Sequence, residues 1–315
     1  MSTVAIDNQR TTERLSVFMS EIAESEPIDQ VFPRRPLLER LLSSKKTQDG
    51  GRQIVTPVNL GKNTTIKDFG DYDTFNTVAQ NTAKVSVYPL VNKGGTVVIS
   101  WEEEREVAGK DHQLFDLLKH RRTNAMETLM DEYAIDLFLS TQDPLKMTAL
   151  PVAISSTGST GELSQATDAD WAAKQVTGGS FATQGLQDMR KLYNQIDEDG
   201  AMPDTIVMNR VVYEYYENAV DADVRYSTVQ TGERGFKSLE FKGIPILMEK
   251  RCPTDEIYMW DSKDLYMVMD TAGNFNVGQF EKAFNGEFYS AILKGRGNIV
   301  VKRRKSLGKV ITVAA

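Results

Sequence analysis

Reactive sites need nucleophiles, ligands or acids at fixed spacing, and this chain of 315 residues has few: two histidines and one cysteine. His112 and His120 stand eight apart. On one helix that is roughly 12 Å along the axis, too far to share a metal ion. They read as solvated histidines on a helix surface. Cys252 precedes Pro253 with no histidine near it in sequence, so it reads as an idle or buried thiol rather than a nucleophile. Gly295-Arg296-Gly297 lacks the third glycine and the strand–helix setting of a dinucleotide loop, and reads as a turn. No Gly-x-x-x-x-Gly-Lys-Ser/Thr phosphate loop is present. Asp197-Glu198-Asp199-Gly200 lacks calcium-loop ligand spacing and reads as a helix end closed by Gly200.

Two charged runs remain. Glu102-Glu103-Glu104 leads into a helix, where carboxylates complement the positive end of the helix dipole. It is either a solvated face or a patch for a neighbouring subunit's cations. Lys302-Arg303-Arg304-Lys305 is the basic cluster. Four cations without interleaved aromatics make no specific nucleic-acid site. They suit a polar strand end, non-specific contact with DNA, or a neighbour's carboxylates. The expectation is therefore no catalytic residue, no cofactor and no metal. The residues expected to touch another subunit are Glu102, Glu103, Arg303 and Arg304, together with Phe69, Tyr72 and Phe75 of the segment described next.

Those side chains must be positioned by elements, and the most telling is an extended limb. From Gly50 to Ser100 the apolar residues come singly and alternate. Ile54, Val58 and Leu60 share one strand face, and so do Val85, Val87 and Val91. Residues 52–60 read as an outgoing strand, 61–82 as a polar tip and 84–91 as the return. A lone two-stranded ribbon is marginal in water, while β-branched alternation argues against disorder. The limb is thus expected to lie on a neighbouring molecule. Asn92-Lys93-Gly94-Gly95 reads as a turn. Thr96 to Trp101 reads as a strand with Val97, Ile99 and Trp101 on one face.

Before the limb, Thr12 to Glu24 carries Leu15, Phe18, Met19 and Ile22 at helical spacing. Pro36 opens a second short helix. After the limb comes a long helix, Asp111 to about Ser140, with the stripe Phe115, Leu118, Arg122, Met126, Leu129, Tyr133, Leu137. Ser155 to Ser164 reads as a flexible loop. An α/β block follows. Its parts are a helix from Ser180 to Asp197, a buried strand Asp204 to Asn209, a helix Val211 to Ala219, and a polar loop over 221–234. Strands at Phe241–Leu247, Glu256–Trp260 and Leu265–Met269 come next. Three strand-like runs, Phe288–Leu293, Asn298–Lys302 and Val310–Val313, close the chain. No internal repeat is evident.

Composition bounds the class. Hydrophobic content is 40%, charged content 26% and the formal net charge −7, with a pI near 5.1. An acidic surface argues against binding phosphates with the whole surface, and suits a wall that must not adsorb DNA. One cysteine excludes an intrachain disulfide and fits a reducing compartment. The first residues show no basic region followed by an apolar run, and no stretch approaches the ~18 apolar residues of a membrane span. A soluble, cytoplasmic chain without a signal peptide is expected.

The order of parts resembles the tailed-bacteriophage major capsid protein family, the Hong Kong 97-type coat fold. Val87-Tyr-Pro-Leu-Val-Asn-Lys-Gly-Gly-Thr-Val-Val-Ile-Ser-Trp-Glu-Glu looks like the returning limb of that family's extended loop. Pro203-Asp-Thr-Ile-Val-Met-Asn looks like the strand–helix step of its axial domain. Phe241-Lys-Gly-Ile-Pro-Ile-Leu and then Glu256-Ile-Tyr-Met-Trp-Asp-Ser-Lys-Asp-Leu-Tyr-Met-Val-Met look like its last hairpin.

The resemblance covers roughly residues 30–313 and implies an α+β fold. Its parts would be an N-terminal arm (1–49), an extended loop (50–95), a peripheral domain (96–145 and 286–315) with a spine helix (111–140), and an axial domain (146–285). It implies a non-enzymatic shell subunit that closes pentamers and hexamers around double-stranded DNA in a virion assembled in the bacterial cytoplasm. It also implies a separate scaffolding protein, or none, because only some forty residues precede the limb. A portal and a decoration protein are implied too. Some members cross-link through a lysine of the loop, but nothing singles out Lys62, Lys67 or Lys84. An encapsulin-like nanocompartment is the alternative within the same fold.

Overall fold

The computed structural model describes residues 34–106, 111–224, 240–278, 280–282 and 286–314. The expected helix over Thr12–Glu24 lies outside them. The fold is α+β, built on two mixed sheets that are each six-stranded among the described residues.

The first sheet is organised by one long strand, Phe288–Val301. Along one edge it pairs antiparallel with Val91–Ser100, from Phe288 opposite Ser100 to Gly297 opposite Val91. Its other edge is shared by Glu281–Lys282, Asn276–Val277 and Leu265–Asp270 in succession. Lys46–Gln48 then adds parallel to Leu265–Asp270.

Two expected turns are thus strand. Asn92–Gly95 and Gly295–Gly297 face each other in this ladder, and Gly94, Gly295 and Gly297 mark close approach rather than chain reversal. A Cβ at Gly94 would meet the Leu293 carbonyl oxygen at 2.8 Å, and one at Gly295 would meet the Tyr133 ring. The runs 288–293 and 298–302 are one strand for the same reason. Trp101, expected on the strand face of Val97 and Ile99, instead begins a short helix, Trp101–Glu106, and is exposed.

The second sheet runs Lys174–Thr177, Leu307–Ile311, Ile257–Trp260, Thr205–Met208, Ile244–Met248, Glu240–Phe241. Thr205–Met208 and Ile257–Trp260 are buried at every position. That follows from covering both faces. Ile206, Met208 and Met259 face helices Leu186–Glu198 and Arg210–Val224, whose Met189, Leu192, Ile196, Val212 and Tyr216 complete one core. Val207, Tyr258, Trp260 and Leu307 face the other core. Helix Leu186–Glu198 begins one π-helical turn after Ser180, whose side chain makes no cap hydrogen bond, and Gly200 closes it at φ +75°.

The expected last hairpin does not exist. Ile257–Trp260 and Leu265–Asp270 lie in different sheets, and Asp261–Asp264 carries the chain between them. Leu307–Ile311 likewise leaves the first sheet for the second.

The long helix spans Asp111–Asp136, shorter than expected at about 39 Å. Leu129, Tyr133 and Leu137 of its stripe are buried in the first core with helix Pro36–Ser43. Met126 is half-buried there, and Arg122 is exposed. The side chains of Phe115 and Leu118 lie outside the description. Ser155–Ser164, expected to be flexible, packs instead. Ile154, Thr160 and Leu163 are buried, and Ser159–Thr160 pairs with Leu163–Ser164.

Candidate assembly surface

The limb is a hairpin of Gln53–Asn59 with Ala83–Pro89, in register from Gln53 opposite Pro89 to Asn59 opposite Ala83. Cross-strand partners share a face, so Ile54 and Tyr88, then Thr56 and Ser86, point the same way. All four are buried against the body. The outgoing face matches the alternation of Ile54, Val58 and Leu60. The return face does not. Val85 is exposed, Val87 half-buried, and Val91 belongs to the next strand. Ser86 is inward because the neighbouring hairpin comes close, with the Val87 N–H donating to the Gly161 carbonyl at 2.9 Å. The Tyr88 hydroxyl donates to the Val301 carbonyl at 3.0 Å, and burial pushes its pKa up. One face of the ribbon is therefore seated on its own chain, while Val55 and Val85 of the other face are exposed.

Only the tip, from Gly61 to Thr82, stands clear. Ile66, Phe69, Tyr72, Phe75 and Val78 follow one another at intervals of three, and all are exposed, Tyr72 to 99%. The tip is shaped by its own contacts. Thr64 bonds Gln80 at 3.0 Å, Lys67 pairs with Asp73 at 3.7 Å, and Phe69 meets Phe75 edge-on with centroids 5.0 Å apart. Exposed aromatics of this kind are what interfaces use as anchors. Ile66 and Val78 were not singled out from the sequence, although their interval of three was legible there.

The charged candidates divide differently. Glu102 is exposed. Glu103 is buried, forming a reciprocal cap with Ser100: its N–H donates to Ser100 Oγ, and its carboxylate accepts the Ser100 N–H, both at 3.2 Å. Arg121 binds it through two nitrogens, at 2.6 and 2.9 Å. Burial works to raise the Glu103 pKa, but Arg121 prevails and holds it below the usual carboxylate range. The Ser100-x-x-Glu103 signature was in the sequence, and it explains Glu103 without a neighbour.

Three of the four cations of the basic cluster are engaged within the chain, and Lys302 is exposed. Arg304 is 1% exposed. Its five N–H groups reach five backbone carbonyls: Ala153 and Trp171 at 3.0 Å, Gly158 at 3.1 Å, Thr157 at 3.0 Å and Val152 at 3.2 Å. It has no donor left for DNA or a neighbour, which corrects its expected role. Burial lowers its pKa to about 10. Arg303 donates to the Asp199 carbonyl, and Lys305 pairs with Asp170 at 2.5 Å.

A second network ties the chain leaving the arm to the body. Arg35 pairs with Glu127, and Arg251 with Asp131, both carboxylates belonging to the long helix. Arg251 also approaches the 1%-exposed carboxylate of Glu249 at 3.4 Å. Burial is the main effect on Glu249 and raises its pKa. Cys252 is 3% exposed, and burial pushes its thiol up, as suits an inert group. Among the described residues no cluster of His, Cys, Asp and Glu could hold a metal, and no helix is long and apolar enough to cross a membrane.

No protein-family model and no curated protein matches the chain. Solved structures do. The capsid of cyanophage A-1(L) superposes with a TM-score of 0.67 at 14% identity, covering 95% of this chain and 98% of that one. The capsid of a native GTA particle gives 0.64 at 14% identity, covering 94% and 96%. The SrpI encapsulin of Synechococcus elongatus gives 0.61 at 10% identity, covering 95% and 94%. The chain therefore has the fold of tailed-phage major capsid proteins, a fold that an encapsulin shares.

Proposed function

We propose that this chain is a major capsid protein, a structural subunit that assembles with copies of itself through pentamers and hexamers into an icosahedral head around double-stranded DNA. The observation that carries this is the extent of the likeness. Two capsid chains match 94–95% of this chain and 96–98% of their own length, so the likeness takes in the whole architecture rather than one unit. The exposed apolar tip supports it, being left uncovered by its own subunit. The work is geometric. Contacts between copies are heterologous, and closure depends on subunit shape.

In this reading the first sheet and long helix form the peripheral domain and the second sheet the axial domain, so the strands within 265–282 pass from the expected axial range to the peripheral domain and Leu307–Ile311 from the expected peripheral range to the axial domain. The protein has no catalytic role. Its partners are a separate scaffolding protein, a portal and a decoration protein, with DNA met non-specifically. It is assembled in the bacterial cytoplasm and resides in the virion. The second reading, a nanocompartment shell, is favoured by the encapsulin match over 95% of the chain. Negative-stain microscopy of purified protein tests the class: uniform shells tens of nanometres across are expected. Nuclease-protected DNA inside favours the phage head, and a co-purifying cargo enzyme the compartment. A 35.3 kDa monomer at all concentrations, with or without scaffold, would sink both.

A further inference from the structure

Five charged side chains meet where the arm enters the fold. Arg35 pairs with Glu127, donates to the Glu127 carbonyl at 3.1 Å and approaches Asp131 at 3.8 Å. Arg251 pairs with Asp131 and approaches Glu249 at 3.4 Å. Two guanidinium groups thus face three carboxylates. The other titratable groups at hand leave that count unchanged. Cys252 is a buried thiol, Glu256 beyond it is paired with Lys309 at 2.9 Å, and Asp255 is exposed. The odd carboxylate is Glu249, whose side chain is 1% exposed against 32% for Glu127 and 23% for Asp131. Among the described residues its Oε2 meets no hydrogen-bond donor.

Glu249 also holds a helix. Helix Pro36–Ser43 packs on the long helix and on strands Ile244–Met248 and Leu265–Asp270. Arg35, at its N-cap, makes no side-chain cap hydrogen bond. The Leu37 N–H donates instead to the Glu249 carboxylate, which arrives from the end of strand Ile244–Met248. Leu37 is fully buried, so the docked helix is part of what keeps Glu249 from water.

We propose that this helix and Glu249 form a proton-linked latch on the arm: Glu249 takes up a proton when helix Pro36–Ser43 docks and returns it to solvent when the helix lifts. With that proton the cluster stands two against two; without it an unbalanced negative charge is enclosed. Burial acts in the same sense, outweighing the Arg251 and Leu37 contacts that favour the ion, and raises the Glu249 pKa. A carboxyl whose pKa is higher with the helix docked holds that helix most firmly below its pKa in the lifted state. The hold is lost as pH rises through the docked value. Glu103, with its depressed pKa, works the other way. Every group involved belongs to one chain, so the latch does not depend on the shell reading.

Amide hydrogen exchange of the full chain from about pH 4 to 8, corrected for intrinsic rates, reads the latch. Protection of Leu37 to Leu42 should fall with rising pH by at least threefold per unit within one window, about tenfold per unit being the limit for one proton. Helix Leu186–Glu198, packed in the other core, should show no fall in that window. Glu249→Gln keeps the neutral shape at every pH. It should remove the dependence and hold the helix at neutral pH as firmly as wild type does in acid. Asp131→Asn balances the cluster without a proton and should move the window to lower pH. Level protection across pH in wild type would overturn the latch, and that series needs no variant to fold. So would an equal fall in both helices, a fall that survives Glu249→Gln, or a window that Asp131→Asn leaves in place.

Discussion

At the scale of single residues, buried charge decides most of what this subunit tolerates. Arg304 is surrounded by carbonyl oxygens rather than carboxylates, so its planar fork is matched by geometry and not by a counter-ion. Arg304→Lys keeps the charge but offers three donors to five acceptors. It should cost about 2–4 kcal/mol in denaturant unfolding; an unchanged midpoint would mean the carbonyls find other partners. Glu103 and Glu249 should respond to pH with opposite signs. Glu103 has a depressed pKa, so its contribution is present above its unfolded pKa and lost as pH falls through the folded one. Glu249 has a raised pKa, so ionising it in the fold costs stability that acid restores. In melting series across pH, Glu103→Gln should therefore destabilise at neutral pH and converge on wild type in acid. Glu249→Gln should stabilise at neutral pH and likewise converge; two curves of the same sign would overturn the assignment. Little of this was legible beforehand. The run Lys302–Lys305 reads as surface because cations are almost never fully buried unless paired. Nothing local shows that a strand end will be wrapped by Val152–Gly158.

At the scale of elements, periodicity was informative and glycine misleading. The long helix, the helix ending at Gly200 and the outgoing limb strand follow from spacing alone, because each buries one stripe or one face. The Asn92–Gly95 segment defeats that logic. Gly94 serves close approach to the Leu293 carbonyl in the ladder with Phe288–Val301, which turn statistics read as reversal. The sheet change between Trp260 and Leu265 is equally silent, since it depends on which distant strands compete for each edge. Where spacing and burial agree, the consequence is sharp. Leu129 is 6% exposed beside Tyr133 and Leu137. Leu129→Asp should bury an unpaired carboxylate at a cost of several kcal/mol and leave the subunit insoluble. Soluble, assembly-competent protein would place that stripe at the surface.

At the scale of the whole molecule, the division that matters is between the seated ribbon and the free tip. Ile54, Tyr88 and Leu90 are part of the first core, so the ribbon cannot be removed without loss of fold. The tip is different. The Leu60 N–H donates to the Thr82 carbonyl at 3.0 Å, closing the hairpin before the tip begins, and the large apolar residues beyond it are exposed. Excising Lys62 to Asn81 and joining Gly61 to Thr82 through an Asn-Gly turn should thus remove little buried area, while shortening a surface loop changes closure entropy only slightly. On the proposed function, the expected product is soluble, melts within a few degrees of wild type, and gives free capsomers or fragile shells, because the exposed aromatics proposed to anchor on a neighbour are gone. Scanning calorimetry of the subunit and microscopy of the assembly read the two effects separately. Shells of normal heat stability would show that the tip carries no contact between copies. An insoluble product would show that the tip holds its own subunit together, leaving the shell's cohesion to surfaces of the two sheets and the arm.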